Sequence, residues 1–192
     1  MLDVLARRGL RATFFVVGRR LEDRAARAAC ERAHAEGHWI GNHTWSHATP
    51  LGLVADAAGA RSEIERTQEL LGSLAHPDRL FRPMGGGGRL GPHVLSRAAL
   101  ETLVDGRYSL VLWDAVPGDW RDPDGWVPRA LAACERGGVL VLHDIAGAAL
   151  GRLEEFLDMA LARGVRFEQE LPPSAMPIVR GEITGDVEGL VT

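Results

Sequence analysis

The stretch Gly41-Asn42-His43-Thr44-Trp45-Ser46-His47 places two histidines four residues apart at the mouth of a short segment, residues 38–41, that reads as a strand. Neutral imidazole is a ligand for zinc, cobalt or nickel. The same spacing on a helix brings both rings to one face, as in helical zinc sites. Two exposed loop histidines is the plainer reading of an arbitrary His-x-x-x-His. Here the pattern gains weight because three later apolar segments also end in polar residues.

Outward from this stretch, strand-like apolar runs recur at residues 12–17, 79–82, 108–113, 139–142 and 165–167. Before and between them lie segments with helical composition and periodicity, at 1–8, 21–36, 54–74, 91–104, 126–135 and 150–163. Alternating strands and helices predict an α/β fold of parallel strands with helical crossovers, the strands buried on both faces. Alternation alone leaves a closed barrel and an open doubly wound sheet both standing. No Gly-x-Gly-x-x-Gly follows the first run, which argues against a dinucleotide site. The run Gly85-Gly86-Gly87-Gly88 lacks a following Lys-Ser/Thr, so it is no phosphate loop. From Leu171 onward the chain is Pro-rich without a clear period. The expected organisation is one domain over 1–170 and a surface-packed tail over 171–192.

The chain has 192 residues, 46% of them hydrophobic and 25% charged, enough for one domain with a substantial core. A net charge of -4 and no basic stripe argue against a nucleic-acid partner. All 22 basic residues are arginine, which excludes Schiff-base lysine chemistry. Cys30 and Cys134 sit in Ala-rich helical contexts and read as buried free thiols. No apolar run reaches the length of a membrane span and no signal peptide is present, so the chain as written reads as soluble and cytoplasmic.

The polar residues at the strand ends are His43 and His47 after the second run, Arg82 after the third, Asp119-Trp120 after the fourth and His143-Asp144 after the fifth. In parallel α/β folds the loops after strands gather on one face, where active sites form. These residues are therefore expected to converge on one mouth. Each also has a structural reading: Arg82 pairing with a helix carboxylate, Asp119 capping the turn before Trp126, Asp144 capping a helix or orienting His143. His38 reads as structural, and His34, His76 and His93 as surface residues.

This order of segments resembles the polysaccharide deacetylases of carbohydrate esterase family 4, which include chitin and peptidoglycan deacetylases. The residues that carry it are Thr13 to Gly18, the segment from Glu36 to His47, Phe81-Arg82-Pro83, Trp113 with Asp119-Trp120, and Leu140 to Asp144. The resemblance implies a distorted seven-stranded (β/α) barrel and removal of N-acetyl groups from amino-sugar polymers. It implies that His43 and His47 bind a divalent metal, zinc foremost with cobalt or nickel as alternatives, and that Thr44 braces their loop. A carboxylate base oriented by Arg82 would activate water, and the backbone N–H of Gly85 would help hold the oxyanion. His143, tuned by Asp119, would protonate the leaving amine. Trp120 would wall the acetyl pocket and Val141 would line it.

Three departures stand against that pattern. Family members begin with a strand ending in Thr-Phe-Asp-Asp-Gly, whose carboxylates supply the base and a metal ligand, and no Asp-Asp occurs here. The barrel is thus expected to lack its first strand, leaving Arg82 without a partner and activity low or absent. Such an open barrel exposes two edges, which dimerisation to a homo-oligomer or a rearranged N-terminal helix would cover. Met84-Gly85 stands where Pro-Tyr is usual, and Val116 where an Asp is usual. The last two leave room for a small amide or cyclic imide as substrate. A noncatalytic carbohydrate-binding or scaffold domain is the remaining alternative.

Overall fold

The computed structural model describes residues 1–145 and 147–192. Among these, the helices α1 (Leu2–Ala6), α2 (Arg24–Ala35), α3 (Ala57–Leu71) and α4 (Arg97–Asp105) alternate with strands, and α5 (Trp126–Cys134) and α6 (Leu153–Ala162) follow in succession. The strands are β1 (Thr13–Val16), β2 (Trp39–Asn42), β3 (Leu80–Phe81), β4 (Ser109–Leu110), β5 (Ile178–Val179) and β6 (Glu182–Ile183). The fold is α/β, as the alternation predicts. The chain divides into two compact units, residues 12–112 with 176–192 and residues 1–11 with 113–175. No helix is long and apolar enough to cross a membrane among the described residues.

The first of these units holds the sheet, in the order β1-β2-β3-β4-β5-β6. Strands β1 to β4 are parallel and joined by α2, α3 and α4. Asp23 and Asp56 start α2 and α3 by accepting backbone N–H bonds at 2.9 to 3.0 Å, which satisfies donors no helical carbonyl can reach. Ser96 does the same for α4 through Ala99 N–H. Packed on the sheet, Leu51, Ile64, Phe81, Val94, Leu95, Leu103, Leu110 and Ile178 form the core. Burying such side chains is what offsets the chain entropy lost on ordering. At Gly41 a Cβ would lie 2.6 Å from the Phe15 ring, so glycine lets that ring lie against β2.

The second unit packs α1, α5 and α6. Rings of Trp126, Phe156 and Phe167 pack in sequence, tilted and then edge to face, with centroids 5.3 and 6.0 Å apart. Arg7 and Arg8 on the α1 side pair with Glu154 and Asp158 of α6. These pairs are largely exposed on the acidic side and contribute little each. Both cysteines are free thiols; Cys30 is buried and Cys134 half-buried.

Three expectations about strands fail. Residues 139–142 form only an isolated parallel bridge, Ala115 to Leu140, and are half-buried. An apolar run of four cannot be assigned from periodicity alone; here the segment is tied to the chain through Ala115 and Asp114. Residues 165–167 pair with no strand either; Phe167 instead packs its ring on Phe156. The tail, read as surface-packed and without a strand pattern, contributes β5 and β6, which extend the sheet antiparallel from β4. Its turn has φ +51 at Arg180 and +84 at Gly181, the positive pair of a primed two-residue hairpin turn. The described strands thus make a six-stranded sheet that is not closed, and β1 is half-buried rather than fully buried.

Because Ile178 is 0% exposed within the core and Ile183 is 54% exposed, the two hairpin positions should respond differently. Ile178→Ala is expected to destabilise the protein by about 2–5 kcal/mol, and Ile183→Ala to change stability by no more than about 0.5 kcal/mol, as read by urea denaturation.

Candidate active site

Parallel pairing sets the end of each strand beside its neighbour. Asn42 is in register with Phe81, and Phe81 with Leu110, so His43, Arg82 and Val111 follow aligned positions. The chain then turns through residues 43–47 with positive φ at two non-glycine residues, Thr44 (64°) and His47 (51°). Such backbone costs on the order of 1–3 kcal/mol per residue unless its surroundings enforce it. Local bonds do so: Asn42 Oδ1 accepts from Thr44 N–H at 3.0 Å, and Thr44 Oγ1 from His47 N–H at 3.2 Å. Gly18 and Arg19 donate their N–H groups to the carbonyls of Thr44 and Trp45.

The His43 and His47 rings lie side by side, centroids 4.4 Å apart. His43 Nδ1 is 2.7 Å from the Arg82 carbonyl oxygen. A carbonyl only accepts, so Nδ1 carries the proton and Nε2 the lone pair. An imidazole held in this way is the form that ligates a metal. The pair therefore fits a divalent metal as two nitrogen donors. No group of three or more His, Cys, Asp or Glu side chains able to hold a metal occurs among the described residues.

Arg82 is 8% exposed. Its guanidinium lies 4.1 Å from the centre of the Phe15 ring. Nε donates to the Val111 carbonyl at 3.4 Å and Nη2 to the Leu112 carbonyl at 3.2 Å. No carboxylate pairs with it among the described residues, and burial pushes its pKa down to about 9. Buried cations are normally paired, so this is a cation held by dipoles and a π face. Gly85, three residues on, accepts a hydrogen bond at its carbonyl from His93 Nε2 at 3.2 Å.

In the unit formed by residues 1–11 and 113–175, Asp119 is 0% exposed. Its Oδ2 accepts the His143 backbone N–H at 2.7 Å, and its Oδ1 lies 2.9 Å from His143 Nδ1. The carboxylate thereby holds the ring with a proton on Nδ1. The Trp120 ring stands 4.5 Å from the His143 ring. Val141 is half-buried and donates its N–H to Ala115.

The structure thus gathers His43, His47 and Arg82 in one unit, and Asp119, Trp120 and His143 in the other. Asp119 does not cap the turn before Trp126; Asp122 does, accepting from Gly125 N–H at 2.9 Å. His76 and His93 are half-buried rather than surface residues. His76 packs against Trp39 with the rings tilted, and burial lowers its pKa. Asn42 and Phe15, which brace the loop and face Arg82, carry no signal in the sequence beyond their places beside the motif and in the first strand.

Two outcomes follow from these contacts. Burial disfavours the charged Arg82 guanidinium and lowers its folded pKa to about 9, well below its ordinary value, so above that pH the unfolded chain holds more protons and stability rises with pH. The stability of the wild type relative to Arg82→Met should therefore increase above pH 9, by up to about 1.4 kcal/mol per pH unit, in paired urea titrations. Asp119→Ala should cost about 1–3 kcal/mol by orphaning the His143 N–H. It should also shift the His143 ring from the Nδ1–H tautomer to a mixture, visible in ¹⁵N NMR.

Comparison with known proteins gives this geometry a family. Residues 1–99 match the family model described as polysaccharide deacetylase. A chitooligosaccharide deacetylase of Rhizobium leguminosarum bv. trifolii is 35% identical over 146 residues, 75% of this chain and 63% of that protein. A peptidoglycan-N-acetylglucosamine deacetylase of Bacillus cereus is 28% identical over 174 residues, 87% of this chain and 59% of its own. The chain thus spans about three-fifths of the length of these relatives. A solved peptidoglycan N-acetylglucosamine deacetylase superposes with a TM-score of 0.73 at 25% identity, covering 93% of this chain and 81% of that one. Such neighbours have a distorted (β/α)7 barrel fold, and their family is generally metal-dependent. The chain belongs to the polysaccharide deacetylase family.

Proposed function

We propose that this chain is a metal-dependent hydrolase domain that removes N-acetyl groups from amino-sugar polymers, releasing acetate and a free amine. The observation that carries this reading is the imidazole pair, with the His43 tautomer fixed by the Arg82 carbonyl. His43 and His47 would hold the divalent ion, zinc foremost, which supplies Lewis-acid polarisation of the amide carbonyl and an acidified water. The Gly85 N–H would donate to the oxyanion. His143 Nε2 would hand a proton to the departing nitrogen while Asp119 stabilises the imidazolium through Nδ1–H. Trp120 would wall the acetyl group and Val141 line its pocket. The substrate class is supported by the relatives, which are named for chitooligosaccharides and peptidoglycan.

Turnover by these 192 residues is expected to be low or absent. Proton removal from the attacking water needs a base, and Arg82 presents no carboxylate among the described residues. Cobalt(II) titration and acetate release from N-acetylglucosamine oligomers test the two halves of the proposal. The wild type should bind one cobalt(II), and His43→Ala/His47→Ala should not. Equal binding by both proteins would reject the metal site. Acetate release at an ordinary enzymatic rate, about 1 s⁻¹ or faster, would reject the low-turnover reading; any measurable release should fall about 10²–10⁴-fold in His143→Ala. Hydrolysis of a cyclic imide in preference to the glycan would reject the substrate class.

A further inference from the structure

The turn that carries the imidazole pair is fastened to α3 at three places within four residues of that helix. Asn42 Nδ2 donates to the Ile64 carbonyl at 2.8 Å. The Arg66 guanidinium lies 3.8 Å from the centre of the Trp45 ring. Glu63 Oε2 accepts the Ser46 backbone N–H at 2.9 Å. The first two anchors act before or at Trp45. The third is the one next to His47, and Ser46 sits between the two left-handed residues of the turn, Thr44 and His47. The Ser46 hydroxyl also accepts from Ala48 N–H at 3.2 Å, so the chain is held on both sides of His47 through Ser46. A bond from a backbone N–H to a carboxylate is about twice as strong as one between neutral groups. It is therefore the contact best able to resist relaxation of the positive φ at His47.

We propose that Glu63 is a positioning residue for His47: its carboxylate, gripping Ser46 N–H from α3, keeps the turn in the conformation that sets the His47 ring 4.4 Å from the His43 ring. In this role Glu63 acts through the backbone of Ser46. The consequence for metal affinity rests on reading the two histidines as a metal site; the consequence for the turn does not. Nothing in the sequence sets Glu63 apart from the other charged residues of α3, since Arg61, Glu65 and Arg66 read equally as a solvated face.

The test compares Glu63→Ala, Glu63→Gln and Glu63→Asp with the wild type, using amide hydrogen exchange in the metal-free protein and titration with cobalt(II) alone. Glu63→Ala should speed exchange at Ser46 and His47 while leaving the α3 core amides protected, and should weaken cobalt(II) binding about 10–100-fold. Glu63→Gln keeps an oxygen acceptor and loses only the charge assistance, so it should stay within about fivefold of the wild type. Glu63→Asp keeps the charge but falls short by a methylene and should behave as Glu63→Ala; it carries the comparison should the alanine variant not fold. Unchanged Ser46 and His47 exchange in Glu63→Ala or Glu63→Asp, or a glutamine variant as impaired as either, overturns the proposal. If the wild type binds no cobalt(II), the metal reading fails while the exchange comparison still decides the role of Glu63.

Discussion

The hydrogen bond between His43 Nδ1 and the Arg82 carbonyl is the contact on which the site depends. It spans two neighbouring parallel strands at their carboxyl ends, so it exists only if β2 and β3 pair in the register that sets Asn42 beside Phe81. A backbone bond reinforces that register, Arg82 N–H donating to the Asn42 carbonyl at 2.9 Å, while His43 N–H donates to the Val16 carbonyl at 3.0 Å and ties the other side of β2 to β1. One residue of slip would turn every side chain of the strand to the other face. The sheet thus fixes the protonation pattern of an imidazole, and the fold and the chemistry share one geometric requirement.

The same strand ends impose a cost. Arg82 leaves β3 into a place shielded from water, beside the Phe15 ring and two carbonyls of the chain following β4. A carboxylate partner would relieve a cation so placed, and burial alone lowers its pKa. The other polar pair is balanced differently. Asp119 is fully buried, yet both its oxygens accept N–H bonds from His143, so the carboxylate is satisfied. One buried charge is poised for a partner, and the other already has one.

Much of this was legible in the sequence. The helices were, from helix-forming composition and apolar positions at helical spacing over 21–36, 54–74 and 91–104, although the caps Asp23, Asp56 and Ser96 start them later, at Arg24, Ala57 and Arg97. The first four strands were, because each is a short apolar run set between helical segments, and the second to fourth lead into polar residues. The two later runs misled, since Val139 to Leu142 and Val165 to Phe167 have the composition of buried strands and no third-dimension signal to say what they pair with. The hairpin of β5 and β6 was hidden for the opposite reason: strands of two residues carry no period, and Arg180-Gly181 is not the Asn-Gly that marks such turns. At the site, residue type and spacing pointed to the histidine pair. They could not show that the His43 proton lies on Nδ1, that Asp122 rather than Asp119 caps the turn before α5, or that Asn42 braces the loop, because each depends on which groups meet across the fold.

The central claim is that the two imidazoles form one metal-binding unit, with His43 oriented by the Arg82 carbonyl. Anomalous diffraction from crystals of this chain grown with zinc tests it most directly. The account predicts a single peak about 2.0–2.1 Å from Nε2 of His43 and from a ring nitrogen of His47, with His43 Nδ1 still on the Arg82 carbonyl. Zinc bound elsewhere, or to a His43 ring turned away from Arg82, would contradict it.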